Sequence, residues 1–206
     1  MSSELPAWVR RTLSEPRFAA YLRAAVGDAE VALRLYWWNI EVSAAFYGLL
    51  HCLELSLRNA LHHQLGNRFG PSIRRGVRVD VDDIVAGLPF GFWVSLLSRG
   101  AAYDRQLWVP ALHRAFPGYS GRREKLHDNL LAMVLFRNRI MHHEPIHHRD
   151  LAADHAKIYR LLGYCLLTWP KKCRRSTGCR MFWPGAQTSV AATSRRASEI
   201  GRTWTG

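Results

Sequence analysis

Residues 135–150, LFRNRIMHHEPIHHRD, place four histidines, three arginines and one glutamate within sixteen positions. Two motifs overlap there. His143-Glu144-Pro145-Ile146-His147 spells H-E-x-x-H, in which zinc hydrolases use two histidines four apart on one helix face. Arg137-Asn138-Arg139-Ile140-Met141-His142 spells R-N-x-x-x-H, which asks for no metal.

The zinc motif has a proline inside it. In a helix interior Pro145 would cost about 3 kcal/mol and would push Glu144 out of the helical region. The unbroken helix that gives H-E-x-x-H its meaning is therefore not expected. No third ligand stands at a recognisable spacing, His148 and Asp154 being the remaining candidates. No metal and no other cofactor is expected.

The metal-free motif suits a helix end. At roughly 100° per residue, Asn138 lies about 100° and His142 about 140° from Arg137, and Asn138 and His142 are surface neighbours four apart. One arc then offers a permanent cation, an amide and an imidazole. Such a set can cleave RNA without metal: His142 moving the proton, Arg137 holding the phosphate and its developing charge, and Asn138 orienting either one. His143 is the alternative imidazole. A purely structural reading stays open, because Arg and His are favoured near helix C-termini and a following Pro is an ordinary stop. Arg139 points to another face and reads as a solvated or dimer-contacting charge.

A second group stands in ELSLRNALHH, residues 54–63. Glu54 and Arg58 have the favourable i, i+4 spacing, with Asn59 beside them, in one of the most apolar stretches of the chain. Charged groups there are costly unless paired or functional. They form either a structural ion pair or the lining of a cleft.

The elements that must carry these residues read as helices. Ser14 and Pro16 mark a helix start that runs to Gly27. Helical pattern continues from Asp28 to Leu65, with Asn39 expected as a break or new cap. Residues 66–79 read as an exposed loop, DVDDIVAGL and FGFWVSLL as short helices, and RQLWVPALHRAF as helical with Pro110 as a joint. A long helix is expected from Arg122 to His142, with Leu126, Leu130, Leu131, Val134 and Leu135 as its apolar positions, ended by Pro145. The last helix is expected from Asp150 to Trp169, stopped by Pro170. Alternation of period two is almost absent.

The chain has 206 residues and a formal net charge of +13, which favours an anionic partner such as nucleic acid or a membrane surface. Residues 171–206 hold eight Lys and Arg against Glu199 alone, so +7 of that charge sits in a tail and +6 in the body. Cys52, Cys165, Cys173 and Cys179 show no C-x-x-C spacing and read as free thiols of a reducing compartment. No signal peptide and no membrane span are expected, and the location expected is cytoplasmic.

Three segments in order, LYWWNIEVSAAFYGLLHCLELSLRNALHHQL, LPFGFWVSLL and LFRNRIMHHEPIHHRDL, followed by an apolar helix ending in Trp169-Pro170, resemble the Abi-like (abortive-infection) proteins of the HEPN superfamily. The resemblance covers roughly residues 15–170. It implies a HEPN-like bundle. The helical pattern itself reads as all-α with roughly six to eight helices, and residues 1–14 read as a lead. Residues 171–206, rich in Arg, Ser, Thr and Gly without helical periodicity and outside the resemblance, read as a disordered basic tail. The resemblance also implies a metal-independent endoribonuclease of a phage-defence or toxin-type system. Arg137, Asn138 and His142 match the R-x4-H site, and Glu54, Arg58 and Asn59 the E-x3-R-N helix that supports it, with His143 and Glu144 adjoining. The implied partners are RNA (tRNA, rRNA or phage RNA), a second copy of the chain in a homodimer, and an antitoxin protein. The alternative within the resemblance is a non-catalytic module that binds RNA or protein.

Overall fold

The computed structural model describes residues 7–73 and 85–165. Among them every regular element is helical and none is a strand, so the chain is all-α. The elements are α1 (Ala7–Leu13), α2 (Glu15–Ala24), α3 (Ala29–Ile73), α4 (Phe90–Ser95), a π-helical turn (Asp104–Trp108), a 3-10 turn (Leu112–Ala115), α5 (Arg123–Met141) and α6 (Leu151–Cys165). Within the described residues the chain divides into two compact units. The first gathers residues 7–48 and 137–153, the second residues 49–73, 85–136 and 154–165.

The first unit is nucleated by aromatic and small side chains from three helices. Val9 of α1, Phe18 and Tyr21 of α2, and Ala32 of α3 are buried together, with Leu22 and Tyr36 packed against them. Residues 7–13, read from the sequence as a lead, thus supply both a helix and a core residue. Ser14 does precede α2, but its side chain makes no capping hydrogen bond, and its backbone is left-handed (φ 60°). At the other end of α2, Gly27 N–H donates to Leu22 O (2.9 Å) and Val26 N–H to Arg23 O (3.2 Å), a Schellman closure with Val26 left-handed at φ 52°. Asp28 then caps α3, its Oδ1 accepting from Glu30 and Val31 N–H at 2.9 and 3.0 Å.

Helix α3 runs 45 residues without the break expected at Asn39. Asn favours caps because its side chain competes for nearby backbone groups. Asn39 instead is buried and spends its Oδ1 on the distant amide of Ile146 (2.7 Å). The helix also continues past Gly66 to Ile73, through the first half of the expected loop. Asn67 Nδ2 meets His63 Nε2 one turn back at 3.0 Å, and Arg68 lies over the Phe69 ring, which helps offset the two glycines there. Residues 74–79, most of DVDDIVAGL, the Trp169-Pro170 stop and the tail 171–206 lie outside the described residues. Residues 85–87 are helical.

In the second unit the buried positions Leu50, Leu53, Leu57 and Leu61 follow one another at three- and four-residue steps along α3. On α5 the buried set there is Leu126, Leu130, Met133, Val134 and Phe136, whereas Leu131 and Leu135 are exposed. Those two leucines stand about 100° on from Leu130 and Val134, off the face defined by Leu126, Leu130 and Met133. Pro110 separates the π-helical and 3-10 turns, as a joint. Gly118 approaches α6 so closely that a Cβ would lie 2.8 Å from the Gly163 carbonyl oxygen, which no larger residue allows without backbone movement. Asp150 caps α6 as expected, accepting from Ala153 N–H at 2.9 Å. Cys52 and Cys165 are free thiols, and burial pushes Cys165 up to about 12.

One helical stretch, Ala29–Gly70, is long and apolar enough to cross a membrane by length and composition, with a mean hydropathy of 1.3 over its best window. The sequence reading had expected none. Within the protein 39 % of that window is buried, the leucine stripe among it, and the stretch carries the Glu54–Arg58 pair.

Candidate functional site

The site begins where α5 stops. The helix extends to Met141, and His142 N–H still donates to Asn138 O at 2.9 Å, so residue 142 keeps helical register. The angular relation among positions 137, 138 and 142 therefore holds: 138 and 142 are one turn apart on one helix face, with 137 round the side. Arg137 and Asn138 are half-buried, and His142 is exposed.

The next residues reverse the chain. Glu144 N–H donates to Arg139 O (2.9 Å) and His143 N–H to Ile140 O (3.0 Å), the two bonds of a Schellman closure. The residue it places in the left-handed region is His143, at φ 59°, where glycine is usual. Arg139 fastens the loop from outside, its guanidinium reaching Glu144 Oε2 (3.4 Å), Pro145 O (3.4 Å) and His148 Nε2 (3.1 Å). Arg139 is thus a clamp on residues 144–148 with its side chain still 36 % exposed, where the sequence suggests a solvated or dimer-contacting charge. Ile146 is fully buried and its amide is held by Asn39.

This geometry decides the H-E-x-x-H stretch. His143 lies in a left-handed turn beyond the helix end, and His147 in a later turn after Pro145, so the two do not share a helix face. The surroundings of His147 and His148 favour neutral rings. His147 stacks near Tyr21 (centroids 5.7 Å), and burial, then His148, lowers its pKa from the usual 6.5. Burial, Arg139 and Arg149 lower that of His148. Arg139 has only donors, so His148 Nε2 must accept, which fixes its proton on Nδ1. Among the described residues no three His, Cys, Asp or Glu come together as a metal site.

Glu54, Arg58 and Asn59 fall in the second unit. Glu54 and Arg58 form the expected pair at 3.4 Å, with side chains only 12 % and 16 % exposed. Arg58 Nη2 also reaches Leu88 O at 3.5 Å, a long contact at the limit of a hydrogen bond. Asn59 is exposed. The candidate residues thus form two groups: Arg137, Asn138, His142, His143 and Glu144 around one helix end, and an ion pair with a neighbouring amide on α3.

Sequence reasoning missed Asn39. The signal was present, since Ala32, Asn39, Val42 and Phe46 fall on one helical face and an amide on such a face is buried. Comparison of the chain with protein-family models, with curated proteins and with solved structures finds no match.

Proposed function

We propose that the chain is a metal-independent endoribonuclease of a phage-defence or toxin-type system, belonging with the Abi-like proteins of the HEPN superfamily. The observation that supports it is the R-N-x-x-x-H set on a helix end kept in register and locked from two sides. A group that transfers protons must be positioned, and here the backbone that carries His142 is fixed by its bond to Asn138 O and by the closure that follows.

In this reading the substrate's 2′-oxygen attacks the adjacent phosphorus. The O2′–P bond forms as the P–O5′ bond breaks, and the 2′-OH proton is removed while another is delivered to the leaving 5′-oxygen. The products are a 2′,3′-cyclic phosphate and a 5′-OH, with no water consumed. His142 is the proton-transfer group, and Arg137 binds the phosphate and offsets its growing charge. Asn138 steadies the imidazole or the phosphate. One imidazole cannot take and give a proton in the same instant. A homodimer, with a second copy of the motif across the cleft, supplies the other. Glu54, Arg58 and Asn59 support the site, and the action is cytoplasmic, on tRNA, rRNA or phage RNA, restrained by an antitoxin protein.

The test is incubation of the purified protein with total tRNA and ribosomal RNA in EDTA, beside Arg137→Ala and His142→Ala, with end-group analysis. Wild type is expected to leave cyclic-phosphate ends. Each variant should cut at least about 10²-fold slower, with unchanged helical circular dichroism. Equal cutting by His142→Ala sinks the assignment. Binding of RNA without cutting moves the protein to the non-catalytic module.

A further inference from the structure

A cavity of about 440 Å³ opens in the first unit beside the end of α5, within the size range of small-ligand sites. Tyr21, Tyr36 and Tyr47 form its aromatic walls, Asn39, Ser43 and His143 supply polar groups, and its lining includes no Lys, Arg, Asp or Glu. Such a lining offers no permanent charge to set against a phosphate or a metal ion. It suits a flat, neutral ligand with hydrogen-bonding edges.

Two of its polar groups have capacity to spare. Tyr21 is 2 % exposed, and its hydroxyl is buried without a hydrogen-bond partner among the described residues. Buried polar atoms in folded proteins are rarely left so. Asn39 commits Oδ1 to the Ile146 amide, which fixes the orientation of its amide and leaves Nδ2 as a donor. Tyr36 stands edge-on to Tyr21, their rings 5.3 Å apart at 81°, so the pair presents a ring face beside a ring edge. Stacking on tyrosine together with an amide donor is the way proteins hold an unpaired base.

We propose that this cavity binds the base of a nucleotide. Its place in catalysis rests on the ribonuclease reading. Ile140, Met141 and His143 line the cavity while His142, about 100° round the helix from Met141, does not. A seated base therefore lies beside the end of α5, and its strand continues round the helix to reach His142. The cavity then selects which RNA residue adjoins the cut. A free nucleotide carries the same chemistry and is the other source of the ligand.

The test is calorimetric titration of the full chain with the four nucleosides, their 5′-monophosphates and single-stranded homohexanucleotides. The proteins are wild type, His142→Ala and Ala44→Trp. Ala44 lines the cavity from an exposed position, so tryptophan there fills it without entering the core. At least one nucleoside, which has no phosphate, should bind wild type and His142→Ala alike, and Ala44→Trp about tenfold more weakly. Tighter binding of the hexanucleotide than of the monophosphate makes RNA the source, and the reverse makes it a free nucleotide. Either supports the base site. If Ala44→Trp loses its helical circular dichroism, Tyr21→Phe replaces it and should change the order of preference among nucleosides. No nucleoside binding at millimolar concentration, or equal binding to wild type and the filled variant, overturns the proposal. RNA cutting that persists in that case leaves the ribonuclease standing, whereas nucleoside binding without cutting keeps the cavity and removes the ribonuclease.

Discussion

Two helix ends in the first unit close in the same way and are held differently. α2 and α5 both finish in a Schellman turn with a residue other than glycine in the left-handed region, Val26 at φ 52° and His143 at φ 59°. Val26 is 82 % exposed and is followed by Gly27 and the Asp28 cap, so that corner is held by its own backbone and its neighbours. The α5 end is held from a distance, by the Asn39 amide on Ile146, by the Arg139 clamp and by Tyr21 against His147. Equal local strain therefore has different status. At α2 it makes a turn. At α5 it is over-determined by side chains packed around it.

Removing the distant support should have the largest effect on stability. Asn39→Ala strips the acceptor from a buried amide and is expected to destabilise by about 1–3 kcal/mol in urea unfolding. Asp28→Ala removes an exposed cap from the α2–α3 corner, and about 1 kcal/mol is expected. The contrast breaks if the two losses are equal, because Asn39 would then be doing no more than a cap does.

Asn39 also marks how far the sequence could be read. The all-helical class, the stop at Pro145, the cap at Asp150, the joint at Pro110 and the Glu54–Arg58 pair follow from local rules, and the structure bears them out. What failed were places where a distant group overrides a local preference. Asn39 looks like a break until Ile146 is seen to occupy its oxygen. Arg139 looks solvated until the chain turns back and brings Glu144, Pro145 and His148 to it. Leu131 and Leu135 keep the helical spacing expected of them, and which face of that helix is buried is settled only by packing. The R-N-x-x-x-H set was legible because it lies within one helix turn and a half. The tyrosine cavity was not, since its walls come from three segments of chain.

Glycine at either left-handed position should relieve strain of about 1–2 kcal/mol, less what glycine loses in the unfolded chain, for a net gain of about 0.5–1 kcal/mol. Val26→Gly should show that gain and leave nucleoside binding unchanged. His143→Gly should show a similar gain while removing a polar wall of the cavity, so stability rises as base binding falls. Chemical denaturation paired with nucleoside titration reads both quantities. Parallel behaviour of the two variants in both would mean that His143 is only a corner residue.

The smallest expected difference is in pH dependence, and it separates the two ends by kind. The α5 end carries His147 and His148, whereas the α2 end has no histidine. Both rings have folded-state pKa values below the ordinary 6.5, His147 through burial and then His148, His148 through burial and then Arg139 and Arg149. The unfolded chain therefore takes up these protons at higher pH than the folded one. Their contribution is fully present above pH 6.5 and declines as pH falls below it, until the folded rings also protonate. His155, in the second unit and also lowered by burial, adds a slope of the same sign. The readout is consequently a difference: replacing His147 and His148 by Gln should flatten the fall in stability below pH 6.5 relative to wild type. Imidazole resonances of His147 and His148 should titrate with midpoints below 6.5. Midpoints at or above that value would mean that Arg139 does not donate to His148 and that the clamp on this helix end is not closed in solution.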